Sequence, residues 1–235
     1  MKIKIEKWIE TNKSPHRKKY DNVGVGSSRK STTKLETVVK TLLFTAINTW
    51  LISNVVKDVK KSGLKTLLWK IPLALLAADL AGYITHMYFD MSTVKGSNTI
   101  IDKARDAFKK HHDNPTDYLD ASTYDLLIVF VAFQLAVSLG IALVPDGQTK
   151  SVLSLAAITV PLQQIVHKYA HCRTHDKYVP KWIRWLQDHN ILLSGPEHRK
   201  HHMQKDNVGN WSIFTPLSNR VGNAIVQPLF KSKFL

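Results

Sequence analysis

Four long apolar blocks constrain this 235-residue chain more than any other feature, because each approaches the length needed to cross a hydrocarbon layer. The first runs from about Val38 to Val56 and carries charge only at Lys40, near its start. At a 1.5 Å rise per residue, a helix of that length just covers the ~30 Å of a bilayer core. The second, from about Thr66 to Thr85, contains Lys70, Pro72 and Asp79. Those residues suit a helix with one side against protein or a site rather than lipid. The third, Leu126 to Val144, is free of charge, and the fourth, Val152 to Val166, holds Pro161 and ends near Gln163 and Gln164. The pattern predicts an all-α integral membrane protein with four transmembrane helices.

The remaining sequence is polar and basic. Residues 1–35, rich in Gly, Ser, Lys and Arg without a period, read as a basic flexible tail ahead of a membrane domain over 36–235. No cleavable signal is evident there, so the first block is expected to stay as an anchor. A formal charge of +15 raises nucleic acid as a partner, but the basic residues mostly flank the apolar blocks, which points to anionic lipid head groups instead. Nucleic acid is therefore excluded. Lys and Arg number 26 on the side holding the tail, the loop between blocks two and three, and the carboxyl-terminal region, against 5 in the other two loops. That imbalance predicts both termini in the cytoplasm. In the segment KWIRWLQDHNILL, Trp182, Trp185, Leu186 and His189 fall near one helical face beside Lys181 and Arg184, as in a helix lying at the membrane surface. A plain amphipathic helix packed on protein fits that segment equally well.

The histidines gather on the same expected side. His86 closes block two, with Asp90 four residues on; His111 and His112 lie in the following loop; His167 and His171 close block four; His198, His201 and His202 follow in GPEHRKHH. Offsets of three and four put imidazoles on one helical face, whereas adjacent residues stand ~100° apart and can serve two ions or straddle one. Taken singly, HRKHH also reads as a solvated basic run and His86 with Asp90 as a structural pair. Taken together on one side, the eight histidines predict a metal site. The lone Cys172 excludes a disulfide framework or a Cys-rich site, and its neighbours His171 and His175 make it a further possible ligand. Imidazole suits iron, zinc, copper and nickel, but a zinc site takes three or four protein ligands. Eight histidines with one or two carboxylates instead match two ions with positions left open. Two irons suit attack by oxygen on an unactivated C–H bond, a chemistry side chains cannot perform, and a lipid chain presents such a bond.

The segments KKHHDNPTDYLDASTYD, HKYAH, WLQDHNILLSGPEHRKHH and GNWSIFTPLSNRVG resemble the plasmanylethanolamine desaturase family, over roughly Ala78 to Ala224. That family is related to a bacterial light-response carotenogenesis protein and a plant plastid palmitate desaturase. The resemblance implies a di-iron centre held by His86, His111, His112, His167, His171, His198, His201 and His202, with Asp90 as a ligand or as a group orienting one. Asn210, Trp211 and Pro216 match positions around a tryptophan of the family. It further implies oxygen-dependent conversion of a 1-O-alkyl ether phospholipid into its vinyl ether, a plasmalogen. The chain departs from the family at His189, where relatives often carry an aromatic, and at Ser194-Gly195-Pro196-Glu197, where their approach to the last histidines is more basic. With no dinucleotide, haem or iron–sulfur motif, electrons are expected from an external carrier, cytochrome b5-like or ferredoxin-like. A fatty-acyl desaturase or lipid hydroxylase would use the same histidines. A membrane metal-binding or transport protein would place its ligands at mid-membrane depth instead.

Overall fold

The computed structural model describes residues 33–91, 100–119, 121–203, 209–226 and 228. Nearly all of the basic tail expected over 1–35, and Asp120 in the expected histidine loop, lie outside the described residues. Among those described, the chain forms helices and no strand. Helix α1 is Lys34–Ser62, started by Thr33, whose hydroxyl accepts from the Glu36 amide at 3.1 Å. It stops at Gly63, whose φ of 86° opens a single 3-10 turn, Leu64–Thr66. Helix α2 (Leu67–Met91) follows, then α3 (Ile100–Asp113), a 3-10 turn at Pro115–Tyr118, α4 (Thr123–Ile128) and α5 (Val131–Ala142). The chain continues through α6 (Gln148–Thr174), α7 (Lys181–Asp188), α8 (Gly195–Met203) and α9 (Pro216–Val221), which runs into a π-turn at Gly222–Val226.

Three segments, Lys34–Ser62, Leu64–Met91 and Thr123–Ala142, are long and apolar enough to cross a membrane. Their outward residues, including Leu42, Leu68 and Leu139, are exposed as lipid-facing positions would be. The fourth expected span is a 27-residue helix, α6, but it is not among the apolar three. Its position explains its composition. Helix α6 packs against α1, α2, α4, α5 and α8, so Ser151, Ser154, Thr159, Gln163 and Gln164 are buried against protein. A helix enclosed by others can carry polar groups because neighbouring helices satisfy them. Asn54 on α1 donates to Ser154 at 3.2 Å, and Gln134 on α5 donates to the Ala157 carbonyl at 3.1 Å.

Two features of the packing position the histidines. Gly82 on α2 faces Gln163 on α6 so closely that a Cβ at residue 82 would overlap the Gln163 amide. His86 and His167 each follow four residues later, so α2 and α6 run parallel and bring their histidines to one level. Helices α1 and α5 run the other way: Asn48 meets Gln134 at 3.1 Å, while Ile47, Leu51, Val131, Ile141 and Ala157 form the apolar core between them and α6. The start of α1 therefore lies at the same end of the bundle as the histidines.

Candidate metal centre

All nine residues singled out in the sequence converge at that end, in two adjoining groups. His111, His167, His171, His198 and His202 form one, and His86, Asp90, His112 and His201 the other; within each group the donor atoms lie within 4.8 Å of one another. Each helical pair at offset four serves a single group: His86 with Asp90 on α2, His167 with His171 on α6. Helices α3 and α8 serve both. His111 faces the first group and His112 the second, and on α8 His198 and His202 face the first while His201 turns to the second. The expectation that the three imidazoles of GPEHRKHH share one face is thus replaced by a helix that divides the groups.

The spacing of the donors tests whether a metal fits. In the five-histidine group, Nε2 of His167 stands 3.2, 3.1 and 2.8 Å from Nε2 of His111, His171 and His198. Nε2 of His198 lies 2.9 Å from those of both His171 and His202. For ligands about 2.1 Å from an ion and at right angles around it, the donor separation is about 3.0 Å. The four-donor group is slightly wider: His201 Nε2 is 3.2 Å from those of His86 and His112, and Asp90 Oδ2 is 3.1 to 3.3 Å from all three histidines. Five neutral nitrogens meeting at one point cannot all be satisfied by hydrogen bonds to each other, since a neutral imidazole has a single N–H. An ion satisfies them all.

Charge state and tautomer favour ligation. Burial, reinforced by neighbouring imidazoles, holds His111, His198 and His202 well below the ordinary histidine range; burial also lowers His201. All four are neutral at pH 7, the form that binds metal. In the four-donor group, Nδ1 of His86 donates to the Trp211 carbonyl and Nδ1 of His201 to the Gly209 carbonyl, each at 2.9 Å. Those bonds leave the Nε2 lone pairs free for an ion. The rim is aromatic. Tyr118 lies 4.5 Å from the His111 ring and donates to Gln164, Phe108 stacks on Phe89 beside His86, and Trp211 is wholly buried edge-on to Tyr83. Cys172 is buried with Val179 and Ile183 outside both groups, and His175 and His189 are exposed outside them too.

The approach to α8 has a steric basis that the sequence did not reveal. A Cβ on Gly195 would stand 2.9 Å from both the Ala170 carbonyl and Thr174 Oγ1 on α6, and 3.1 Å from the Thr174 amide. Glycine there lets α8 begin against the end of α6, which brings His198 onto His167 and His171. Gly195→Val is therefore expected to push α8 outward and lower metal affinity at the five-histidine group by about tenfold or more. A metal titration of the purified variant at unchanged helicity checks this. Other contributors also escaped the sequence reading: the carbonyls of Gly209 and Trp211 carry no side-chain signature, and only the polar Asp79 and the Asn210-Trp211 match hinted at that region.

Helix α7 buries Ile183 against Cys172 and Val179, and its buried Gln187 donates to the Leu193 carbonyl at 3.0 Å, while Trp182 and Trp185 are exposed and Leu186 is partly covered.

Among known proteins, no curated protein and no solved structure gives a significant match to this chain. A family model does match, over residues 75–226, a stretch that contains all nine donors of both groups. On that match the chain belongs to the lipid desaturase domain family.

Proposed function

We propose that this protein is a di-iron, oxygen-dependent membrane desaturase that converts a 1-O-alkyl ether phospholipid into its vinyl ether. The observation that carries the metal reading is the pair of adjoining donor groups, five histidines beside three histidines and a carboxylate, at octahedral-edge spacing. In this reading His111, His167, His171, His198 and His202 hold one iron, and His86, Asp90, His112 and His201 the other. Bound there, the irons supply the oxygen chemistry needed to remove hydrogen from two adjacent saturated carbons, which no side chain can do alone. The protein's own groups bind and orient. Buried imidazoles stay neutral, the carbonyls of residues 209 and 211 fix two of their tautomers, and the closed end of the bundle keeps bulk water from the donors.

The apolar exterior supports a lipid substrate approached from within the bilayer. In the arrangement we favour, α6 crosses with the three apolar segments, and the basic bias sets the histidine end and both termini in the cytoplasm. Electrons come from an external cytochrome b5-like or ferredoxin-like carrier. The basic, exposed Lys177, Lys181 and Arg184 beside Trp182 and Trp185 suit an acidic carrier and an anionic membrane surface. Reversing those three charges is expected to slow reduction by the carrier or weaken membrane association; unchanged values of both would remove this role.

Lipid analysis of cells with and without the gene tests the substrate. Vinyl ether phospholipids that appear only with the gene support the reading. A new acyl double bond or hydroxyl group without vinyl ether assigns the same centre to a fatty-acyl desaturase or hydroxylase.

A further inference from the structure

The two donor groups are supported differently. Nδ1 of His111, His167, His198 and His202 is buried without a hydrogen-bond partner among the described residues, as is Nδ1 of His112 in the four-donor group. By contrast, two histidines of the four-donor group lean on the backbone of one short segment, at Gly209 and Trp211. Gly209 has φ 102° and Asn210 φ 55°, and this left-handed turn lets both flanking carbonyls reach histidines. A carbonyl cannot adjust alone; its position is that of the segment.

Three side chains pin the segment. Asp79 on α2, two turns before His86, accepts from Ser212 Oγ at 2.7 Å, from the Thr215 amide at 3.3 Å, and from the Thr215 hydroxyl. Asn219 accepts from the Ser212 amide at 2.8 Å. Asn223 Oδ1 accepts from the Asn210 amide at 3.0 Å and from Tyr83 Oη at 2.8 Å, while its Nδ2 donates to Asn210 Oδ1 at 3.0 Å. Asp79, Tyr83 and His86 lie four and three residues apart, on one face of α2. The face that carries a donor thus also carries the anchors of the carbonyl that orients it.

We propose that Asp79 and Asn223 are positioning residues for the four-donor group, acting through residues 209–215, and that they act on this group and not on the five-histidine group. The inference rests on the two-ion reading above. It predicts unequal sensitivity: loosening the segment frees the His86 and His201 rings to rotate or switch tautomer, while the imidazoles of the five-histidine group keep their helical supports.

The test is cobalt(II) titration of the full chain in detergent, followed by visible absorption, with wild type, Asp79→Leu, Asp79→Asn and Asn223→Ala. Wild type is expected to bind two ions. Asp79→Leu and Asn223→Ala are expected to weaken one of them by about 10–100-fold and leave the other unchanged. Asp79→Asn retains a carbonyl oxygen for Ser212 and Thr215 and is expected to restore most of the binding. Equal loss of both ions in Asp79→Leu and Asn223→Ala assigns the residues a general structural role and overturns the inference. Two ions bound as tightly as in wild type overturns it as well. A wild type that binds no second ion overturns the two-ion reading along with it.

Discussion

Replacing His167 with alanine is expected to abolish desaturation and empty the five-histidine group while leaving the helical bundle folded. His167 Nε2 sits at the middle of that group, within 3.2 Å of Nε2 of His111, His171 and His198. Its loss removes a direct donor, so it should cost more than the roughly 10–100-fold in affinity that follows loss of an outer hydrogen-bond partner. Metal content and product formation on the same preparation measure the effect, with circular dichroism as the control for folding. His189→Ala is the matched comparison, since its ring is exposed and lies tilted against Trp185 outside both groups. It is expected to leave metal content unchanged.

The second large effect concerns stability at the other end of the bundle. Lys70 is wholly buried, pairs with the buried carboxylate of Asp58, and donates to Thr66 Oγ1 at 3.0 Å; Ser62 donates to the other Asp58 oxygen at 3.1 Å. Lys70→Met leaves that carboxylate enclosed without its cation and is expected to destabilise the fold by about 3–5 kcal/mol. Pairing it with Asp58→Leu removes both charges and should restore most of the loss, because a well-packed apolar pair often matches a buried ion pair. Unfolding in detergent reads both variants. Lys70 precedes His86 by sixteen residues on α2, about 24 Å along the axis. Metal content per folded molecule should therefore stay at the wild-type level in Lys70→Met, which separates this effect from that of His167→Ala.

How much of this was legible beforehand differs by element. Blocks one to three stand out because lipid-facing helices must be apolar, and they became α1, α2, and α4 with α5. Helix α6 was visible as a helix but is more polar than a lipid-facing span, since it is enclosed by its neighbours and its Gln and Ser residues meet protein. Lys70, Pro72 and Asp79 marked α2 as a helix with a protein-facing side, and two of them turned out to be anchors, one for α1 and one for residues 212–215. The nine donors were readable because imidazoles and a carboxylate recur at helical spacing. Their division into two groups was not. Offsets of three and four look alike along one helix, and only the placement of α3 and α8 between the groups sends His112 and His201 one way and His111, His198 and His202 the other. Gly195 and the carbonyls of residues 209 and 211 were hidden for a simpler reason: their contributions are space and backbone, and neither has a side chain to recognise.

The measurement closest to the central claim is the metal content of the full chain purified without added metal, by elemental analysis and Mössbauer spectroscopy. The account predicts about two irons per chain in nitrogen-rich environments, one of them lost in His201→Ala and both lost when His167→Ala is combined with Asp90→Ala. A chain that carries about one zinc and no iron contradicts it.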